Sequence, residues 1–223
     1  MNAPAPVLTS SKAMILTLGL VATLCGILIV SAYQGTLSAV NANKRIRLER
    51  AVFKVIPGAA TMKEFVATPS GIEPAGANVA ADAVKFYVAY DKAGALKGIA
   101  AEAGSTGYSS VVRVMYAYDP AKQAITGIGV ISMNETPGIG DRILTDKAFL
   151  DNFKDLDVSL APDMKALAHE VKTVKHGTKQ HPWEIDAISG ATVTSKAVGR
   201  GINSSTQRLL PLLVPNIEKL RGE

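Results

Sequence analysis

Residues 14–32 read MILTLGLVATLCGILIVSA, a run of 19 residues that contains no charged side chain. As a helix this run is about 28 Å long, which is close to the hydrocarbon thickness of a bilayer. The sequence therefore predicts one transmembrane helix at residues 14–33, preceded by an N-terminal tail at 1–13. A cleaved signal peptide is the alternative interpretation, because Lys12 precedes the run and Val30-Ser31-Ala32 has the small residues of a cleavage site.

The charges on either side of this run do not decide which side of the membrane the following domain occupies. Lys12 precedes the run, whereas five basic residues follow it between Lys44 and Lys54. That count would place the domain in the cytoplasm, but long domains cross membranes largely regardless of such charges. The only cysteine, Cys25, lies within the apolar run. The domain therefore has no thiol to oxidise, which suits an extracytoplasmic compartment.

The composition indicates a folded domain beyond the apolar run. Hydrophobic residues make up 48% of the 223 residues and charged ones 19%, which excludes a largely disordered chain. Residues 35–223 hold 23 basic and 19 acidic side chains without an arginine-rich stripe, so nucleic acid is not an expected partner.

The three histidines, His169, His176 and His181, lack the spacing of a ligand pair on one helical turn, and we expect no metal site. The sequence also contains no nucleotide-binding or hydrolase motif.

Alternating apolar and polar residues predict two antiparallel hairpins in this domain. A loop rich in Pro, Gly and Ala is expected before them, at residues 68–83. The strands are expected at Val84–Tyr90, Ala95–Glu102, Val111–Tyr118 and Ala124–Met133.

Three helices are predicted around these strands. The first is a juxtamembrane helix at 34–57, which Pro57-Gly58 would end. The other two have one apolar face each and are expected at Thr145–Leu156 and Ser195–Leu213. Because strands precede helices without βαβ alternation, the sequence predicts an α+β domain at 58–223.

Residues 186–195, DAISGATVTS, place small and hydroxyl residues directly before the last predicted helix. The free amides and the positive end of that helix would favour a phosphate group. Gly190 and Ala191 would let the phosphate approach the backbone closely, and Thr192 and Thr194 would supply hydroxyl groups. The alternative is purely structural: Thr192, Thr194 or Ser195 is the N-cap of the helix, and Ser-Gly forms a turn.

Residues 135–143, ETPGIGDRI, follow directly on a predicted strand. Pro137 restricts the backbone, and Gly138 and Gly140 allow unusual dihedral angles around the apolar Ile139. This arrangement can lay backbone and one apolar side chain against a flat ring. A plain loop whose glycines only turn the chain is the alternative.

Together, these two segments resemble the signatures of the FMN-binding domain family. Asp186 and residues 189–192 match its flavinylation motif, Asp-x-x-Ser-Gly-Ala-Thr. Residues 135–140 look like its second signature, and Gly107-Tyr108-Ser109 looks like a weaker third one. The single membrane helix, the domain size and the motif order resemble the G subunits of Rnf electron transport complexes (RnfG). The C subunits of sodium-pumping NADH:quinone reductases (NqrC) are near relatives that tend to be longer.

The resemblance implies an FMN that is covalently bound by a phosphoester to Thr192, and two sets of residues around it. The phosphate would be lined by Ser189, Gly190, Ala191 and Thr194. The rest of the cofactor would lie against Glu135, Thr136, Gly138, Ile139 and Tyr108. Either Lys172 or Lys175 would offset the phosphate charge. Because the flavin itself performs electron transfer, no catalytic side chain is expected.

The resemblance also implies a fold and a biological setting. The fold would be an antiparallel-sheet FMN-binding domain with flanking helices, following one transmembrane helix. The chain would be a single-pass protein of a bacterial inner membrane with a periplasmic domain. It would relay electrons within an Rnf-type complex that couples ferredoxin and NAD redox chemistry to ion movement.

The implied partners are proteins and lipid. They are the other membrane subunits of the complex, a second flavin subunit and iron–sulfur subunits among them, the surrounding membrane lipid, and a flavin transferase of the ApbE type that uses FAD.

Two other functions remain open from the sequence. One is an NqrC-like FMN subunit of the quinone-reducing complex. The other is an anchored binding module without redox chemistry, whose 189–194 loop holds a free anion or only caps a helix.

Overall fold

The computed structural model of the chain describes residues 10–76 and 83–221. Its contacts divide the chain into two compact units, Met1–Ile46 and Arg47–Glu223. The second unit therefore includes the last turns of the first helix, which precede the predicted start of the domain at residue 58.

A single continuous helix, α1 (Ser11–Val55), covers the predicted transmembrane segment and most of the predicted juxtamembrane helix. Residues 1–9 of the predicted tail lie outside the described residues. Within the described part of the chain, α1 is the one helix that is long and apolar enough to cross a membrane. The helix ends two residues before Pro57, and Gly58 follows with a φ of 86°, a combination that stops helices.

The second unit consists mainly of β-strands. The described residues form β1 (Thr61–Thr68), β2 (Gly71–Pro74), β3 (Val84–Tyr90), β4 (Leu96–Thr106), β5 (Val111–Asp119), β6 (Ala124–Ser132), β7 (Leu156–Asp157), β8 (Lys172–Val174) and β9 (Glu184–Asp186). The helical elements are a 3-10 helix at Gly140–Leu144, α2 (Lys147–Asp151), α3 (Thr192–Leu213) and a 3-10 helix at Val214–Leu220.

Seven of these strands form one antiparallel sheet in the order β2-β1-β3-β4-β5-β6-β7, and β8 and β9 form a separate parallel pair. Alternation along the strands produces rows of apolar side chains across one face of the sheet. In one such row Phe86 pairs with Ala101, which pairs with Tyr116, and all three are buried in the main core. The predicted α+β fold with an antiparallel sheet and flanking helices is confirmed.

Helices cover both faces of this sheet. Apolar side chains of α3 belong to the main core on one face, and Ser205 of α3 donates a hydrogen bond of 2.8 Å to the carbonyl of Glu102 in β4. On the other face, Val52, Val55 and Ile56 pack into a second cluster with residues of β3, β4 and β5. Because both faces are buried, the position of α3 against the sheet is fixed by packing.

Two of the predicted elements are wrong. The loop expected at 68–83 contains β2, which pairs with β1, a strand that we did not predict, and residues 77–82 of that loop lie outside the described residues. The helix expected at Thr145–Leu156 is reduced to α2. The side chain of Asn152 ends that helix, because it bonds to the carbonyl of Phe149 and to both backbone groups of Asp186. The chain then continues into β7, so tertiary contacts override the helical periodicity.

Candidate functional site

A cleft of about 430 Å³ lies where the first turn of α3 meets the segment that follows β6. The residues that line it come from three separate parts of the chain. They are Tyr108, Glu135, Thr136, Ile139, Gly140, Gly190, Ala191, Thr192, Val193 and Thr194. The structure thus brings together eight of the ten residues that the sequence assigned to the site, and it adds Gly140 and Val193.

The turn before α3 is held in place by Ser195. Its hydroxyl accepts a hydrogen bond of 3.1 Å from the amide of Ile188 and donates one of 2.9 Å to the carbonyl of Ala191. Gly190 occupies the middle of the turn with a φ of 83°, a conformation that favours glycine. These hydrogen bonds therefore fix the conformation of the turn and place Thr192 at the start of α3.

The N-cap of α3 is Ala191, whose methyl side chain cannot accept a hydrogen bond. The alternative that Thr192, Thr194 or Ser195 is the N-cap is therefore wrong. The first amides of a helix have no partner within the helix, and the helix dipole gives that end a partial positive charge. Because no cap side chain covers these amides, the start of α3 can receive an anion in the cleft.

The two threonines of this turn differ in their surroundings. Thr192 is exposed and lines the cleft. Thr194 is only 2% exposed, and its hydroxyl donates a hydrogen bond of 2.7 Å to Oε2 of Glu135. Thr192 is thus the hydroxyl that an external reactant reaches directly.

Glu135 connects the three parts of the chain that form the cleft. Its carboxylate, in a residue that is 7% exposed, accepts hydrogen bonds of 3.0 to 3.1 Å from the amides of Tyr108, Ser109 and Ser110. The bond from Thr194 is the fourth. The sequence assigned Glu135 to a contact with the flavin. The structure shows that its oxygens accept hydrogen bonds from the protein and thereby join the turn at 107–110 to α3, and the flavin contact stays a prediction.

These hydrogen bonds also set the charge of Glu135. Burial by itself raises the pKa of a carboxyl group, but the hydrogen bonds from Thr194, Ser109, Tyr108 and Ser110 outweigh burial and hold the pKa of Glu135 below its ordinary value. Glu135 is therefore a carboxylate at neutral pH.

Two glycines are required by the packing around Glu135. A Cβ on Gly107 would lie 2.7 Å from Oε1 of Glu135, and a Cβ on Gly140 would lie 2.6 Å from Cβ of Glu135. Both distances are shorter than carbon atoms tolerate. In the sequence these glycines belong to two separate signatures. Only the structure shows that both of them make room for the side chain of Glu135.

The outer wall of the cleft is apolar and exposed. Tyr108 is 74% exposed, Ile139 50% and Val193 46%, which is unusual for side chains of this size in one place. Tyr108 and Ile139 were predicted from the sequence. Val193 was missed, although its position between two threonines in the first helical turn could have identified it.

Two predicted site residues and the two candidate lysines do not form part of the cleft lining. Gly138 and Ser189 are not among the residues that line the cleft, and neither Lys172 nor Lys175 lines it. The cation that contacts the turn is Arg142, which donates a hydrogen bond of 3.0 Å to the carbonyl of Ser189 and one of 3.1 Å to Asp146. The sequence missed this role, although Arg142 belongs to the quoted segment 135–143.

The residues of the cleft fit an FMN molecule. Helix amides without a side-chain cap suit its phosphate, and exposed apolar side chains suit its ring. The hydroxyl of Thr192 stands at the junction of these two regions. A small metal ion or a free sugar would not need this combination of an anion-binding helix end and an apolar wall.

Comparisons with known proteins agree with this geometry. Residues 107–207 match the model of a family described as the FMN-binding domain. The chain is 37% identical to the G subunit of the Na(+)-translocating ferredoxin:NAD(+) oxidoreductase complex of Acetobacterium woodii, over 51% of this chain and only 50% of that protein. It is 28% identical to the G subunit of the proton-translocating ferredoxin:NAD(+) oxidoreductase complex of Clostridium ljungdahlii, over 82% and 83% of the two chains.

The fold has a relative among solved structures. The C subunit of the Na(+)-translocating NADH-quinone reductase from Parabacteroides distasonis superposes with a TM-score of 0.61, over 79% of this chain and 95% of that one, at 19% identity. At this identity the likeness concerns the fold alone.

The resemblance predicted from the motifs is thus confirmed by a family match that contains every residue lining the cleft. The chain is similar to proteins named as G subunits of ion-translocating oxidoreductase complexes, and its residues 107–207 match the model of the FMN-binding domain family.

Proposed function

We propose that this chain is a membrane-anchored redox subunit that carries FMN on Thr192 and relays electrons within an Rnf-type complex. The cleft is the observation that carries this proposal. It combines an exposed threonine, a helix start capped only by an alanine and an exposed apolar wall. FMN, when bound there, supplies reversible electron transfer.

The attachment is a phosphoryl transfer that consumes FAD. The Thr192 oxygen forms a bond to the phosphorus of the FMN half, and the bond between that phosphorus and the bridging oxygen of the pyrophosphate breaks. AMP leaves, and the proton of the Thr192 hydroxyl is released. The reaction needs a flavin transferase of the ApbE type, which the chain does not contain.

Each side of the cleft would hold a different part of the bound FMN. The amides at the start of α3 would bind the remaining phosphate oxygens. Ile139, Val193 and Tyr108 would lie against the ring, and Thr136 would add a polar contact at the rim. A covalent link keeps the cofactor attached without enclosing it, so the ring stays open to a partner over a short distance.

The relatives and the first helix support the membrane setting that we propose. Proteins similar to this chain are named as subunits of ion-translocating oxidoreductase complexes, and α1 is suited to anchor it in the membrane. We propose that other membrane subunits, among them a second flavin subunit and iron–sulfur subunits, are its partners, and that its domain faces the periplasm. An NqrC-like role is less favoured, because the likeness to NqrC rests on the fold.

Intact mass spectrometry tests the proposal on the full chain expressed with an ApbE-type transferase. We expect a gain of one FMN less one water, and flavin fluorescence that survives a denaturing gel. Both signals should be lost in Thr192→Ala. A colourless chain of unchanged mass, in cells where the transferase modifies a known acceptor, would instead support an anchored binding module.

A further inference from the structure

The first turn of α3 presents two threonines to the same cleft, and the transfer needs only one hydroxyl. Both Thr192 and Thr194 line the cleft, and they are two residues apart in the chain. Proximity alone therefore does not decide which of them becomes the acceptor.

We infer that Glu135 selects Thr192 as the acceptor by engaging the hydroxyl of Thr194 in a hydrogen bond. This inference rests on the proposed function, since it concerns where the FMN is attached. Glu135 would act as a positioning residue, because its carboxylate bonds to Thr194 and to the amides of residues 108–110 rather than to the reacting hydroxyl of Thr192.

The geometry of Thr194 supports its exclusion as the acceptor of FMN. Its hydroxyl points at Oε2 of Glu135 over 2.7 Å and is covered on a second side by Gly140, where a Cβ would lie 3.0 Å from the hydroxyl oxygen. To form a phosphoester, this oxygen would have to give up the bond to a buried carboxylate, and such charge-assisted bonds are among the stronger ones.

Electrostatic repulsion is the second reason why Thr194 would not accept the FMN. A phosphoester on Thr194 would place its negatively charged oxygens beside the carboxylate of Glu135, in a region that is largely shielded from water. Like charges repel strongly where solvent does not screen them. Thr192 is exposed, so a phosphate attached there can be solvated.

The opposite reading is that Glu135 activates Thr194 as a general base. Two observations speak against it. The hydrogen bonds that Glu135 accepts lower the pKa of its carboxyl group, which makes it a weaker base. Three of those bonds come from the amides of residues 108–110, so most of the lone pairs of the carboxylate already accept hydrogen bonds from the backbone.

The test places the Glu135→Gln change in a Thr192→Ala background. The amides of Ser109 and Ser110 both donate to Oε1, so the oxygen of a glutamine would stay with them. Its amino group would then replace Oε2 beside Thr194. That group donates a hydrogen bond and carries no charge, so Thr194 would lose both its acceptor and the repelling carboxylate, and the amide of Tyr108 would lose its acceptor too.

We expect Thr192→Ala alone to remain unmodified after co-expression with the transferase. Thr192→Ala with Glu135→Gln should gain FMN on Thr194, to a level at least about tenfold above any trace detected in the single variant, as measured by peptide mapping. The matched control is Glu64→Gln in the same background, because Glu64 is an exposed carboxylate paired with Lys85. It should leave Thr194 unmodified.

If Glu135 had a purely structural role, the double variant would carry no FMN, as the Thr192→Ala chain does, whereas the inference requires FMN on Thr194 of the double variant. Thermal unfolding of each variant shows whether it is folded. If the glutamine variant does not fold, Glu135→Asp serves instead, since its shorter side chain withdraws the carboxylate from Thr194. A smaller gain in the same direction is then expected.

The outcomes separate this inference from the proposed function. An unmodified native chain would overturn the proposed function. FMN on Thr192 of the native chain, without any on Thr194 in the folded double variant, would overturn the inference alone. FMN on Thr194 of the native chain, lost in Glu135→Gln, would identify Glu135 as the base and overturn the inference together with the assignment of Thr192.

Discussion

At the scale of single residues, the site depends on one buried carboxylate. A carboxylate removed from water is costly unless hydrogen bonds replace its hydration. Glu135 receives four such bonds, three from the turn after β4 and one from α3. Losing any of these partners leaves a charge without its compensation, so the cleft depends on the close packing around Glu135.

The substitution Gly140→Ala tests this packing. The added Cβ would lie 2.6 Å from Cβ of Glu135 and 3.0 Å from the hydroxyl oxygen of Thr194. We expect a loss of about 1–3 kcal/mol in the free energy of unfolding, measured by urea titration, together with a lower FMN content.

Gly76→Ala is the matched control for this substitution, because a Cβ at Gly76 meets no heavy atom within 4 Å. Its stability and FMN content should equal those of the native chain. A Gly140→Ala chain with native stability would show that the segment at 135–140 moves to accommodate the methyl group.

At the scale of elements, the important feature is how α3 begins. Most helices start with a side chain that caps their first amides, and α3 starts with Ala191 instead. Ser195, inside the first turn and fully buried, provides the missing support by bonding back to Ile188 and Ala191. These hydrogen bonds of Ser195 hold the first turn of α3 in place, while the first amides of the helix face the cleft.

Ser195→Ala should therefore weaken both the helix start and the site. The amide of Ile188 would lose its partner in a buried position, which costs about 1–3 kcal/mol, as urea titration would measure. We also expect less FMN on Thr192, because the turn that presents it is no longer braced. Ser204→Ala, at an exposed position of the same helix, is the control and should change neither quantity.

At the scale of the whole molecule, the chain consists of a membrane helix and one α+β domain. Within its own unit, the last turns of α1 pack against the sheet through Val52, Val55 and Ile56. The part of α1 that lies in this unit is thus also part of its core.

The periplasmic orientation can be tested with cysteine labelling. Cys25 is the only cysteine, so Cys25→Ala with Ser204→Cys has a single thiol at an exposed position of the domain. We expect a membrane-impermeant maleimide to label this thiol in intact spheroplasts as completely as in detergent-permeabilised ones. Labelling that appears only after permeabilisation would place the domain in the cytoplasm.

Much of this architecture was predictable because it depends on local signals. Residues 14–32 predict a membrane helix by their length and lack of charge, and the alternation in Val84–Tyr90 and Val111–Tyr118 predicts strands. The helix expected from Thr145 to Leu156 failed for the opposite reason. Asn152 forms bonds to Asp186, a residue 34 positions away, and no local pattern reveals a contact of that kind.

The sequence by itself determined an apolar helix of membrane-spanning length and an α+β domain, and it predicted two segments that would hold a phosphate and a flat ring. Such features follow from composition, periodicity and motif, which act over a few residues. The tertiary structure decided that Gly107, Gly140 and Thr194 all serve one carboxylate, Glu135, and that Arg142 contacts the turn at Ser189. These relations join residues that are distant in the chain, because folding of the sheet and α3 brings them within bonding distance.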